Sequence, residues 1–221
     1  MPQKLRQIVS TLALDVKALN LDDRISFRYL ADKFTDKIGY FLRLEARSRE
    51  FTKDLSIWKS IGYVELIDVG TNTAGYVDEC NTLRRSKIKI PEAYNTNYGL
   101  LIKVLTIDGS TKFEQIASNA YSDHTKKRYG ATGNLFWLEE GYIYIPNTDI
   151  EGIKVMIIPK NPADVDNINN SCGTCTYPLD GEVNYSDYLI TLAKTEVIKE
   201  LYSRISIPQD EKGNDNTNIK N

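Results

Sequence analysis

Apolar residues recur at helical spacing at both ends of the chain and at strand spacing in its middle. Leu5, Ile8, Val9 and Leu12 fall on one face of a helix. Leu14, Val16 and Leu19 then leave that period, so the stretch Lys4 to Asn20 predicts a short helix and an apolar turn. Asp22, Asp23 or Ser26 can cap a second, longer helix in which Phe27, Leu30, Phe34, Ile38 and Phe41 share a narrow arc. Arg43, Arg47 and Arg49 gather near its end, where cations suit the helix dipole, and a stop is predicted around Ser48 to Phe51.

From Trp58 the pattern shortens to β-branched and aromatic runs punctuated by Gly and Asn. The predicted strands are Gly62 to Val69, Ser86 to Ile90, Leu100 to Ile107, Leu135 to Glu139, Tyr142 to Ile145, and Ile153 to Pro159. Two of them flank Glu139, Glu140 and Gly141 and predict a tight β-hairpin, and Asp108-Gly109-Ser110 predicts another. Ser118 to Thr132 reads as a polar surface loop, and Asn161 to Tyr177 as a second loop. A last helix follows, capped by Ser186 or Asp187, with Ile190, Ala193, Val197 and Leu201 as its apolar stripe. Leu189, Leu192, Ile198 and Tyr202 lie well around the cylinder, so this helix is expected to touch two surfaces. Gln209 to Asn221 is polar, Asn-rich and aperiodic, as a flexible or partner-ordered tail would be.

The resulting expectation is an α+β chain: N-terminal amphipathic helices, a central antiparallel β-rich region with hairpins, a long C-terminal helix and a flexible tail. Its divisions are 1–55 for the helical region, 56–165 for the β-rich region, 166–206 for the loop and C-terminal helix, and 207–221 for the tail.

Composition narrows the function. The 221 residues include 28 basic and 30 acidic side chains, so no global field draws in nucleic acid or an anionic membrane. No run approaches a membrane span, and the polar start lacks the apolar core of a signal peptide. Three cysteines leave at least one unpaired, which argues for a reducing compartment. Fourteen tyrosines against a single histidine suit contact surfaces better than acid–base catalysis.

The chemical candidates are few. Cys172 and Cys175 form a C-x-x-C pair, but Tyr177-Pro178 follows where a redox dithiol would open a helix. A zinc site would need Cys80 and His124 to join them, at a spacing unlike any compact zinc knuckle. The favoured reading is reduced loop cysteines, with no cofactor and no metal. His124 has no nucleophile in a strained elbow beside it, and Glu139-Glu140 is a poor acid–base pair in a turn. Neither a Walker A loop nor a G-x-G-x-x-G occurs, so no enzyme is expected. Lys126, Lys127 and Arg128, beside Tyr121 and Tyr129, form a local basic patch that could touch a passing phosphate backbone.

Three segments together resemble a known group: Asp78 to Pro91 (DECNTLRRSKIKIP), Val104 to Phe113 (VLTIDGSTKF), and the ending in which Pro178, a long helix and Ile207-Pro-Gln-Asp-Glu211 precede an Asn-rich tail. They resemble virion proteins of crAss-like phages and related short-tailed phages, above all the head-to-tail connector proteins, the adaptor or ring proteins below the portal. In layout the likeness covers most of the chain beyond about Asp22. It implies a structural virion protein at the portal vertex or tail, assembled in the host cytoplasm into a homo-oligomeric ring of twelve copies. Such a ring docks on the portal protein, contacts neighbouring tail or ring proteins, and extends the channel through which DNA passes. The resemblance maps portal contact onto Leu201 to Asn221. The expected partner interface comprises Ile190, Ala193, Val197, Leu201, Tyr202, Ile205 and Ile207, and the expected channel contacts are Lys126, Lys127 and Arg128. The alternatives are another virion component, such as a tail hub, muzzle or capsid-associated protein, and a small zinc or thiol protein.

Overall fold

Helices with one apolar stripe must bury it against another element, and here three of them bury their stripes on one another. The computed structural model of the chain describes residues 3–19, 25–45, 57–69, 82–96, 99–120, 134–169 and 176–206, with side chains to residue 203. Helix α1 spans Leu5–Ala18 and α2 spans Phe27–Glu45. A short α3 spans Pro162–Asn169, and α4 spans Asp187–Ser206. Ile8, Leu12, Phe34, Ile38, Leu42, Ala193 and Val197 are among the residues of the helical core and are all at most 2% exposed.

Local signals set most helix starts. The Ser26 hydroxyl accepts the Tyr29 N–H at 3.2 Å and begins α2, and the Ser186 hydroxyl accepts the Leu189 N–H at 3.3 Å and begins α4. Helix α1 departs from the expected short helix and turn: it runs unbroken to Ala18, because Val16 continues the stripe of Leu5, Ile8, Val9 and Leu12. Leu14 is then left on the outside, 66% exposed. Helix α2 ends, among the described residues, at Glu45.

The centre of the chain is a closed seven-stranded barrel. Its strands are β2 (Lys59–Asp68), β3 (Leu83–Ser86), β6 (Ile102–Thr106), β7 (Lys112–Gln115), β8 (Leu135–Glu139), β9 (Tyr142–Pro146) and β10 (Gly152–Ile157), ordered β10-β2-β3-β9-β8-β7-β6. Two small pairings lie outside it: β1 (Gln3–Lys4) with β11 (Glu182–Val183), and β4 (Asn95–Thr96) with β5 (Gly99–Leu100). The expected antiparallel pattern holds for six barrel pairings, whereas β7 and β8 run parallel. Alternation supplies the interior: Val104, Phe113, Phe136, Ile143, Ile145, Ile153 and Val155 point inward and fill it, as in other small barrels.

Two irregularities shape the barrel. Ser60 pairs with Met156 and Gly62 with Val155, so Ile61 is unopposed in a β-bulge. Gly62 takes φ +77°, which glycine adopts without strain, and the bulge lets both Ile61 and Val64 face inward. The strand expected from Ser86 to Ile90 instead ends at Ser86. The Ser86 hydroxyl, fully buried, donates to the Ile88 carbonyl at 2.8 Å and accepts the Ile143 N–H at 3.0 Å, so a side chain takes over where the ladder stops. Ser86→Ala should therefore cost about 1–3 kcal/mol by leaving the buried Ile143 N–H without its acceptor. Chemical denaturation of the purified variant measures this.

The expected hairpin at Glu139 to Gly141 is present, with Glu140 and Gly141 both at positive φ (51° and 85°), the two-residue turn that matches strand twist. The Asp108-Gly109-Ser110 turn joins β6 to β7, and Gly109 takes φ +74°. Part of the expected loop Asn161 to Tyr177 is helix α3. Asn161 caps it, its Oδ1 accepting the Ala163 N–H at 3.3 Å, and Pro162 stands at the first helical position. Val165 of α3 is buried in the barrel core, and the Lys59 ammonium holds the helix to β2 through Asp166 at 2.8 Å.

Barrel and helices are joined by shared residues. Trp58, Tyr94, Leu101 and Ile158, at strand ends or just beyond, belong to the helical core. Tyr94 donates to the Thr35 carbonyl at 3.2 Å, and its ring lies so close to Gly39 that a Cβ there would stand 2.8 Å from Cε1. Burial pushes the phenol of Tyr94 well above its ordinary pKa and that of Tyr185 up to about 12, so both remain neutral.

Candidate assembly surface

The stripe expected to meet a partner lies inside the chain. Ile190 is 7% exposed, Ala193 0%, Val197 1% and Leu201 5%, all packed in the helical core. Helix α4 does touch two elements, but both belong to its own chain: it lies along α2 and also meets α1. The apolar stripe was therefore placed correctly on the helix and assigned to the wrong side of the molecule, because periodicity shows which face is apolar and not what covers it. Of the expected interface residues, Tyr202 is open, at 60% exposure. The side chain of Ile205, and Ile207, lie outside the described residues.

The same holds for the chemical candidates. Cys80, His124, Cys172, Cys175, Lys126, Lys127 and Arg128 all lie outside the described residues. Among the described residues, no group of three His, Cys, Asp or Glu gathers where a metal could be held. No described helix is long and apolar enough to cross a membrane.

The outer surface of the helices carries several large apolar side chains. Leu14 and Leu19 on or just after α1, Tyr40 and Leu44 on α2, and Tyr188 and Tyr202 on α4 are each 46–66% exposed. Outside the helices, Tyr63, Ile107 and Tyr177 are also exposed. Tyrosine on a surface offers a large rigid ring with a polar tip, which is the character of contact residues.

The barrel carries a second surface, where basic groups lie over aromatic rings. Arg85 sits 4.7 Å from the centre of the Tyr142 ring and Lys89 5.6 Å, and Tyr144 stacks on Trp137 with centroids 5.8 Å apart. The register explains the grouping: Arg85 faces Tyr144 across β3 and β9, and Tyr144 faces Trp137 across β9 and β8. No local pattern in the sequence shows this grouping, since cross-strand neighbours are far apart in the chain. A cleft of about 230 Å³ opens between the start of α1, the side of α2 and the segment before α3, lined by Leu5, Asp32, Asp36 and Lys160 among others. Lys160 is paired with Glu92 and the two aspartates are exposed, so the cleft assembles no nucleophile with a base.

The helices are also tied by charge. Glu200 of α4 bonds Lys33 at 2.8 Å and Lys37 at 2.9 Å, one turn apart on α2. Hydrogen bonds from Lys33 and then Lys37 hold its carboxyl at about 2, below its ordinary 4.5. A folded-state value below the unfolded one adds stability that is complete above pH 4.5 and is lost as pH falls from there toward 2. With water screening the partly exposed pair, the contribution should be about 1 kcal/mol. Denaturation of the wild type and of Glu200→Gln at several acid pH values measures it, and the difference between them should shrink as the pH falls through that window.

Comparison with known proteins defines the class. Residues 7–219 match the model of a family of phage tail ring proteins, so this is a structural component of a phage virion that assembles as a ring in the tail. The chain belongs to the family CrAss_Ring_2, phage tail ring protein 2. No curated protein matches it.

Proposed function

We propose that this protein is a head-to-tail connector subunit, forming a ring that docks on the portal and extends the DNA channel toward the tail. The observation that carries the reading is membership, over nearly the whole chain, of a tail ring family. The build of the molecule supports it. A barrel sharing core residues with a helical layer gives each copy a stiff body, which a ring that transmits a channel needs. The nearly balanced charge suits a channel in which DNA slides, because each neutralised phosphate would add a salt-dependent brake. In this reading the segment Leu201 to Asn221 reaches the portal, twelve copies close the ring, and Lys126, Lys127 and Arg128 face the DNA. Assembly takes place in the host cytoplasm before the ring joins the virion.

Electron microscopy of the purified protein, alone and mixed with the portal of the same phage, tests this directly. Rings stacked on the portal with twelvefold symmetry are expected. Rings that ignore the portal and join only the distal tail would overturn the connector assignment and favour a hub or muzzle position.

A further inference from the structure

A ring closes by joining two different faces of each copy, so a ring subunit must carry two separate and complementary surfaces. The helical layer has them. Helix α2 packs along both α1 and α4, which touch each other less, and α1 and α4 each turn a separate face outward. Each of these faces carries an outward stripe that its own core leaves open. On α4 the stripe is Tyr188, Thr191, Thr195, Lys199 and Tyr202, all exposed, with a length of about 21 Å at 1.5 Å per residue. On α1 it is Gln7, Ser10, Leu14 and Ala18, also exposed.

The α4 stripe is more apolar than its composition suggests. Thr191 donates its hydroxyl to the Asp187 carbonyl at 2.8 Å, and Thr195 donates to the Thr191 carbonyl at 2.9 Å. With those hydroxyls turned back onto the helix, the outward parts of the stripe are methyl groups between two tyrosine rings. Such a face loses little hydrogen bonding when it is dried. Its one formal charge, Lys199, is bonded to Glu196 at 2.7 Å.

We propose that neighbouring copies join side to side by setting the outer stripe of α4 on one copy against the outer stripe of α1 on the next. The proposal rests on the ring reading of the family and adds which surfaces close the ring. Charge agrees with it. Within one copy α1 and α4 run parallel, because Leu5 bonds Gly181 just before α4 and Lys194 bonds the Thr11 hydroxyl further along. Asp15 and Lys199, each about one turn beyond that bond, therefore stand at about the same level on the two helices. Copies rotated about an axis along the helices keep that level, which brings Lys199 near Asp15 of the next copy. Leu14, exposed and pointing away from its own core, then becomes the central apolar contact from the α1 side.

The test uses two full-length variants, Leu14→Arg and Thr195→Arg, at exposed positions where the fold should tolerate them. Circular dichroism and denaturation midpoints first establish that each is folded. Mass photometry then follows assembly of the wild type, alone and with the neighbouring tail proteins of its virion. Neither variant should build rings alone, and an equal mixture should stop at one-to-one pairs, since only one intact α4–α1 junction can form between them. A folded variant that builds rings like the wild type, or a mixture that forms no pairs, would overturn the assignment of the two faces. A wild type that never assembles, even with its neighbours, would instead sink the ring reading beneath it.

Discussion

Phe34→Ala should lower the unfolding free energy by about 3–5 kcal/mol, a large share of the stability of a domain this size. Phe34 is 0% exposed in the middle of α2, whose stripe is shared by the helices packed along it. Removing its ring leaves a cavity in the core that the helices share. None of these can close over the gap alone, because α2 is also held through Glu200 to α4 and through Tyr94 to the barrel. Urea denaturation followed by helical circular dichroism reads the loss. A cost below about 1 kcal/mol would mean that the helical layer relaxes around the cavity, and would contradict the packing described here.

The second large effect should come from the other core. Phe136 on β8 is 1% exposed inside the barrel, and Phe136→Ala should likewise cost about 3–5 kcal/mol. The informative outcome is which signals move. Trp58, Tyr94, Leu101 and Ile158 bridge barrel and helices, so one cooperative transition is expected. The barrel variant should then shift the helical signal and the tryptophan signal to the same new midpoint. The double variant with Phe34→Ala should be additive within about 0.5 kcal/mol, since the two rings belong to different clusters. A barrel variant that melts the tryptophan signal early and leaves the helical signal in place would show that the shared residues do not couple the two cores.

If side-to-side assembly of α4 on α1 holds, these stability effects have a consequence for the ring. The stripes on α1 and α4 are displayed by helices whose opposite faces are anchored in the same core, so Phe34 supports an interface that it does not touch. A ring subunit built in this way transfers core stability to the precision of its junctions.

Local chemistry in the chain determined much of what is seen. The capping serines Ser26 and Ser186, the stripes of α2 and α4, and the turn at Glu139 to Gly141 are all readable from neighbours within four residues, because the bonds that make them are that short in range. Helix α3 was equally local and was missed, although Asn161, Pro162 and Asp164 spell a helix start, because a short helix carries little periodic signal. Closure of the barrel, the parallel pairing of β7 with β8, and the row of Arg85, Tyr144 and Trp137 were decided only by tertiary structure. These depend on register between strands far apart in sequence, which no local pattern records. The same division applies to the assembly surface. The sequence determined that α4 has more apolar character than one face can hold, while the fold decided that Ile190, Ala193, Val197 and Leu201 go to the chain's own core and that Tyr188 and Tyr202 stay outside. Burial is a property of what packs against a helix, and only the folded chain specifies that.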